Sequence, residues 1–275
     1  MRSLSHTNIL LFMGACIVPG HYQLVTEIAP NGSLDTLLHK QKNQCLHFSR
    51  KIRMAREIAE GMTWLHMQNP PLLHLDLKPA NILLMEDYTV KIADFGISRL
   101  QRSVEKNQNE VKKEQNVTGI GGTPLYMPPE MFDLSPNITS KCDVYAYGII
   151  LWEIIEQKVP YEGKFNSVVA LTMAITKGTR PTLPDKLSPT LKKLITDCWS
   201  PSPAARPEFK QILEPSQETF VKIVAEHISS RNDARSPFWM EMCSATIFTK
   251  VSWEGSKICL NSGRAAGEGD QQSVM

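Results

Sequence analysis

Residues 140–157 place the tightest limit on what this chain can fold into. Val144, Ala146, Ile149, Ile150, Leu151, Trp152, Ile154 and Ile155 leave the middle of the segment almost without a polar face. A helix that is apolar all round is either a core helix or a membrane span. The uncharged run between Asp143 and Glu153 is far shorter than the roughly 20 apolar residues a bilayer requires. The segment is therefore predicted to be a helix buried on every side.

Other elements can be read around it. Residues 8–16 and 23–27 are short, β-prone apolar runs separated by Pro19-Gly20, a pattern that predicts a hairpin. Ser33 is placed to cap a short helix through His39. Residues 49–68 carry Ile52, Ala55, Ile58, Ala59, Met62 and Leu65 at helical spacing, with Met54 and Trp64 beside that stripe. Pro70 and Pro71 end this helix. Further helices are expected at 165–176, 188–198 and 208–213. From about Ser229 the periodicity dissolves, and residues 265–275 are rich in Gly, Ser and Gln, a composition that favours disorder.

Composition excludes several classes of function. The 275 residues carry a formal net charge of +2, which offers no gross electrostatic bias toward nucleic acid. The 6 cysteines are scattered without Cys-x-x-Cys spacing, so neither a zinc site nor a disulfide framework is indicated and a reducing compartment is expected. The start has no signal-peptide pattern, although residues 9–18 are apolar.

The chemistry lies in two motifs read in order. His74-Leu75-Asp76-Leu77-Lys78-Pro79-Ala80-Asn81 is followed by Asp94-Phe95-Gly96, and the apolar runs Ile82-Leu83-Leu84 and Val90-Lys91-Ile92 stand between them. Singly, His74 suits a core histidine, Asp76 a turn, Asn81 a cap and Asp94 a solvated loop acid; together, in this order, they suit a catalytic site. Asn81 and Asp94 are oxygen donors of the kind a small, hard cation takes.

With these motifs the chain resembles the eukaryotic protein kinases, and the match runs over about residues 4–213. The resemblance implies an α+β protein-kinase-like fold, mainly the helical C-terminal lobe with the last N-lobe strands and the hinge. It implies ATP and Mg2+ as cofactors and protein serine or threonine hydroxyls as acceptors in cytoplasmic signalling. Asp76 would accept the proton of the attacking hydroxyl, Lys78 would place a positive charge beside the transferred group, and Asn81 and Asp94 would hold magnesium. Thr26 would be the gatekeeper, Glu27 and Ala29 would turn backbone groups toward adenine, and Leu83 would also belong to the nucleotide site. His74, Phe95 and Gly96 complete the motifs structurally. Gly122-Thr123-Pro124-Leu125-Tyr126-Met127-Pro128-Pro129-Glu130 is similar to the substrate-docking loop, with Pro128 where alanine is usual. Glu130 would pair with Arg206, and Asp143 would bond the catalytic-loop backbone. Lys78 and Thr123 are the residues serine/threonine kinases place at these positions. Cys198-Trp199 with Arg206-Pro207 resembles the tyrosine-kinase-like group, and Pro71-Leu72-Leu73-His74 is similar to receptor-interacting protein kinases.

The sequence also departs from the pattern. The glycine-rich loop, the third-strand lysine and most of helix C are missing, so residues 1–29 are expected to be an N-lobe remnant, 30–215 the C-lobe and 216–275 a partly disordered tail. Without that roof and lysine, phosphate positioning suffers, and the chain alone is expected to have little activity. A non-enzymatic, partner-binding kinase-like module is the alternative. Leu75 replaces an arginine that usually grips a phosphorylated residue, so switching through that contact is not expected. Residues 102–116 form a charged insert, with Ser103, Thr118 and Thr123 as the available hydroxyls.

Overall fold

The apolar runs on either side of Pro19 pair antiparallel as β1 (Phe12–Val18) and β2 (His21–Thr26), with Val18 opposite His21. The structure, a computed structural model, describes residues 5–19, 21–40, 46–94, 99–100, 123–133, 138–214, 219–231, 251–254 and 257–260. Within β1 and β2 the large apolar residues Met13, Ile17, Tyr22 and Leu24 are exposed. Asn8 and Ile9, predicted to begin the first strand, instead lie against Ile92: Leu10 N–H donates to Ile92 O and Ile92 N–H to Asn8 O, each at 2.9 Å.

Ser33 caps the next turn, its Oγ accepting from Thr36 N–H at 3.2 Å, and the chain closes one π-helical turn over Thr36–Lys40. Helix α1 (Phe48–His66) follows, burying Ile52, Ala55, Ile58, Ala59, Met62 and Leu65 as its spacing predicts. Met54, which the sequence places beside that stripe, is also fully buried and widens it. A Cβ on Gly61 would stand 2.7 Å from Ile92 Cδ1 and 3.0 Å from Asn8 O, so glycine lets α1 approach this strand layer closely.

After α1 the chain forms β3 (Leu72–Leu73), the short hairpin of β4 (Ile82–Leu84) and β5 (Val90–Ile92), and β6 (Arg99–Leu100), which pairs with β3. Helix α2 (Lys141–Glu156) is the expected core helix: every residue from Cys142 to Ile154 is buried. Fully burying one such aliphatic or aromatic side chain stabilises a fold by roughly 1.5–3 kcal/mol before entropy is charged, which explains why the segment organises its neighbours. Tyr147 Oη donates to Ala55 O at 3.0 Å and ties α2 to α1.

Three helices complete this region: α3 (Val168–Thr176), α4 (Pro189–Cys198) and α5 (Phe209–Leu213). Ser167 and Ser188 cap α3 and α4 through their hydroxyls, and α5 begins with a reciprocal capping box between Glu208 and Gln211.

The chain divides into two compact units, Met1–Val224 and Ala225–Met275. Helix α6 (Thr219–Arg231), not predicted from the sequence, crosses that division, with Phe220, Ile223 and Val224 buried. In the second unit β7 (Val251–Glu254) pairs antiparallel with β8 (Lys257–Leu260). Strands of four residues are too short to display alternation, so these lie within the stretch where no periodicity shows in the sequence. No described helix is long and apolar enough to cross a membrane.

Candidate active site

The loop between β3 and β4 is held from beneath by one carboxylate of the buried helix. Asp143 Oδ2 accepts from His74 N–H at 2.9 Å and Oδ1 from Leu75 N–H at 2.7 Å, while His66 Nε2 lies 2.8 Å from Oδ2. Burial acts to raise this carboxyl's pKa, but the His66 bond, the neighbouring imidazoles and the Leu75 N–H hold it below the usual aspartate value. The two backbone bonds fix Leu75 at φ 66, in the left-handed region. Such strain costs a non-glycine residue about 1–2 kcal/mol and persists only where the surroundings impose it.

His74 is fully buried and orders the loop from inside. A carbonyl can only accept, so Nε2 donates to Ala93 O at 3.0 Å, and Nδ1 accepts from Asp76 N–H at 3.3 Å. The Nε2–H tautomer satisfies both contacts. His74 thereby joins the loop to the residue before Asp94, a link repeated by Ala93 N–H donating to Asn81 O at 2.9 Å.

On this frame Asp76, Lys78, Asn81 and Thr123 converge. Lys78 Nζ donates to Asp76 Oδ2 at 2.7 Å and to Thr123 Oγ1 at 2.9 Å. Asn81 Nδ2 donates to Asp76 O at 2.9 Å and to its Oδ2 at 3.1 Å. Because Thr123 Oγ1 already accepts from Lys78, its proton is directed to Asp76 Oδ1, a longer contact of 3.3 Å. Asp94 is exposed, with φ 60. Phe95 and Gly96 lie outside the described residues, as do Ser103, Thr118 and the charged insert.

Leu75 is where the sequence places an apolar residue in a polar loop. Its side chain, 7 % exposed, packs with Leu73, Met127, Met131 and Cys142. The segment after Thr123 is therefore seated on the loop by apolar contact, where an arginine would have required an anionic partner. Further along, Glu130 meets Arg206 in a two-pronged ion pair of 2.6 and 2.9 Å. Arg206, 1 % exposed, also donates to Ser200 O and Lys141 O, so its buried guanidinium is fully engaged.

The residues expected at the nucleotide lie at the end of β2, in the turn after it and in β4. Thr26 ends β2, exposed, with Oγ1 donating to Glu27 O at 3.1 Å. Glu27 Oε1 accepts from Leu11 N–H and pairs with Lys91 Nζ, both at 2.8 Å. Partial burial works against its charge, but Lys91 and the Leu11 N–H hold its carboxyl below the usual glutamate value. Ala29 O accepts from Gly32 N–H at 3.2 Å, closing the turn that carries the chain to Ser33. Leu83, half-buried in β4, bridges Ser33. Residues 26–33 and β4 thus belong to one local framework.

A sequence model of the family described as protein tyrosine and serine/threonine kinase matches residues 1–215. The chain belongs to this protein kinase family. It is 38 % identical to the dual specificity protein kinase shkC of Dictyostelium discoideum over 92 % of this chain and 47 % of that protein. It is likewise 38 % identical to the serine/threonine-protein kinases STY46 and CTR1 of Arabidopsis thaliana, over 79 % and 78 % of this chain but 35 % and 25 % of those proteins. The chain thus spans about half or less of the length of these relatives.

Within this kinase domain, sequence reasoning missed His66, His39, Glu153 and Tyr126. Glu153 is 1 % exposed; its Oε1 lies 2.6 Å from His39 Nε2 and its Oε2 accepts from Tyr126 Oη at 2.9 Å. A carboxylate closing an otherwise uncharged helical run could have identified it, because a charge there must be paired or neutral. His66 carried no such mark: its partner is distant in sequence. Among the described residues, no group of three His, Cys, Asp or Glu gathers into a metal site.

Proposed function

We propose that this chain carries the proton-accepting and metal-holding part of a protein serine/threonine kinase site, which transfers the γ-phosphoryl group of ATP to protein hydroxyls in cytoplasmic signalling. The observation that supports this most is the asymmetry of Asp76. Its Oδ2 is engaged by Lys78 and Asn81, while among the described residues Oδ1 faces only the long contact from a hydroxyl, that of Thr123. An acceptor serine or threonine replacing that hydroxyl would deliver its proton to Oδ1. Lys78 keeps the other oxygen and Thr123 in register and adds positive charge beside the transferred group.

The donor set fits magnesium. Asn81 turns its amide nitrogen to Asp76, which leaves its amide oxygen directed away, and Asp94, just past β5, adds an exposed carboxylate. Neutral and anionic oxygens of this kind suit a hard cation. Magnesium bound with ATP would neutralise charge on the phosphates. Thr26, Glu27, Ala29 and Leu83 would form the adenine side. The Lys78–Thr123 contact supports serine/threonine acceptors, and the finer likeness to receptor-interacting protein kinases rests on the sequence motif alone.

The test is nucleotide-dependent thermal stability. A ligand at 100 times its Kd adds about 2.7 kcal/mol, equivalent to roughly 5–10 °C in Tm for a domain of this size. We expect a shift of that order with ATP and magnesium, and loss of its magnesium-dependent part in Asp94→Asn. No shift at millimolar nucleotide would overturn the enzyme reading and leave the non-enzymatic module.

A further inference from the structure

Glu153 sits in the core with both oxygens engaged, each by a different peripheral segment. His39 reaches Oε1 from the π-helical turn Thr36–Lys40, and Tyr126 reaches Oε2 from the 3-10 turn Pro124–Tyr126. Tyr126 N–H in turn donates to Thr123 O at 2.9 Å, and Thr123 Oγ1 contacts Lys78 and Asp76. A path of hydrogen bonds, joined through the covalent frames of Tyr126 and Thr123, therefore runs from His39 to the proposed proton acceptor.

We propose that His39 is a positioning residue: through Glu153 and Tyr126 it holds the segment carrying Thr123 against Asp76 and Lys78, and the proton on its imidazole sets the strength of that hold. The consequence for phosphoryl transfer rests on the kinase reading above, but the hold itself does not.

The surroundings make His39 suited to this. Its side chain is 16 % exposed, so it exchanges protons with solvent, whereas Glu153 does not face solvent. Among the described residues, the charged and titratable groups facing it are Glu153 from α2, Asp35 just before its own turn, Glu162 from the loop after α2 and, through Glu153, Tyr126. The carboxylates all favour imidazolium. The Glu153 bond, opposed by burial, raises the His39 pKa above the ordinary histidine value. For Glu153, burial is the largest influence and raises its pKa, against the bonds from His39 and Tyr126.

A histidine whose folded pKa is raised contributes stability that is complete below its unfolded value and is lost as pH rises through the folded value. Above that point Glu153 keeps its charge beside two neutral donors, a costly state for a buried carboxylate. At acid pH the raised Glu153 takes up a proton and the ion pair is lost from the other side. The hold on Tyr126 is thus strongest in a window bounded by these two titrations.

The test uses the full chain without nucleotide or substrate, so its outcome is independent of whether the chain transfers phosphoryl groups. Imidazole NMR resonances would be followed with pH, alongside amide exchange of Tyr126 and Met127 corrected for intrinsic base catalysis. In wild type, His39 should titrate above the ordinary histidine range, and exchange of these amides should rise about 3- to 10-fold through that same titration. In His39→Gln, which retains a donor but not the charge, exchange should be fast and lack the step. His39→Lys, whose charge persists across the range, should remove the step while keeping protection. Ordinary titration of His39, or a step that survives in either variant, would overturn the proposal. The near-surface position of His39 makes these variants safer for folding than changes at Glu153.

Discussion

Replacing Asp143 with asparagine should release the loop between β3 and β4 from the core helix. In wild type the carboxylate accepts from His74 N–H, Leu75 N–H and His66 at 2.9, 2.7 and 2.8 Å. Asparagine offers one oxygen and one NH2 group, so whichever way it turns, a backbone N–H of His74 or Leu75 faces another donor. An unsatisfied buried donor costs about 1–3 kcal/mol, and each charge-assisted bond that becomes neutral loses about 1 kcal/mol more. The sum, about 3–5 kcal/mol, agrees with the usual cost of breaking a buried charged pair. It is a large share of the roughly 5–15 kcal/mol that holds a domain folded. Leu75, at φ 66, should relax once its restraint is gone. Urea unfolding should show a lower midpoint at unchanged slope, and amide exchange at residues 74–76 should accelerate ahead of that in α1 and α2. Because Asp143 is held below the ordinary aspartate pKa, its contribution is present above the ordinary carboxylate range and lost as pH falls through its folded value. The variant should therefore also lose part of the wild-type acid sensitivity. A loss under about 1 kcal/mol with the loop amides still protected would refute the argument that Asp143 imposes the loop conformation.

Two further outcomes follow from close contacts. Arg206→Lys keeps the charge but cannot reproduce the fork to Glu130 or all the carbonyl contacts of a side chain 1 % exposed, and should destabilise by about 3 kcal/mol, read as a lower urea midpoint. Gly148→Ala would place a Cβ 2.9 Å from Cys198 Cβ and 3.0 Å from Trp199 N. Its helix-propensity gain of about 1 kcal/mol should be exceeded by overpacking of about 1–3 kcal/mol, and a stabilised variant would show that α4 yields more readily than its packing suggests.

The core helix and the helix at 188–198 were legible because their determinants are local: an uncharged apolar run, Ser188 at the start of a helical segment, Pro70 after α1; the Ser167 cap, not read from the sequence, starts its helix later than the 165 expected. The order of Asp76, Lys78, Asn81 and Asp94 was legible for the same reason, since the motif lies within one stretch of chain. What could not be read was who pairs with whom across the fold. His66 meets Asp143, and His39 meets Glu153, only after α2 has packed. The pairing of Asn8 and Ile9 with Ile92, which shortened the first predicted strand, is likewise a choice between two apolar partners that only packing decides. Leu75 is the instructive case. Against the family pattern it reads as a lost anion contact, yet its burial with Met127 and Met131 shows a replacement of one docking interaction by another.

The two acidic residues of the core helix then acquire a common meaning. Asp143 and Glu153 lie about 15 Å apart along α2 at a rise of 1.5 Å per residue, each too deeply buried to be there without partners. Asp143 holds the loop that carries Asp76, and Glu153 holds the turn that follows Thr123. The two supported segments meet where Thr123 and Lys78 contact Asp76. A rigid helix with a carboxylate near each end fixes the separation of two loops that have no regular structure of their own. The proposed proton acceptor and the groups around it can therefore sit on loops and still be placed to within a hydrogen bond.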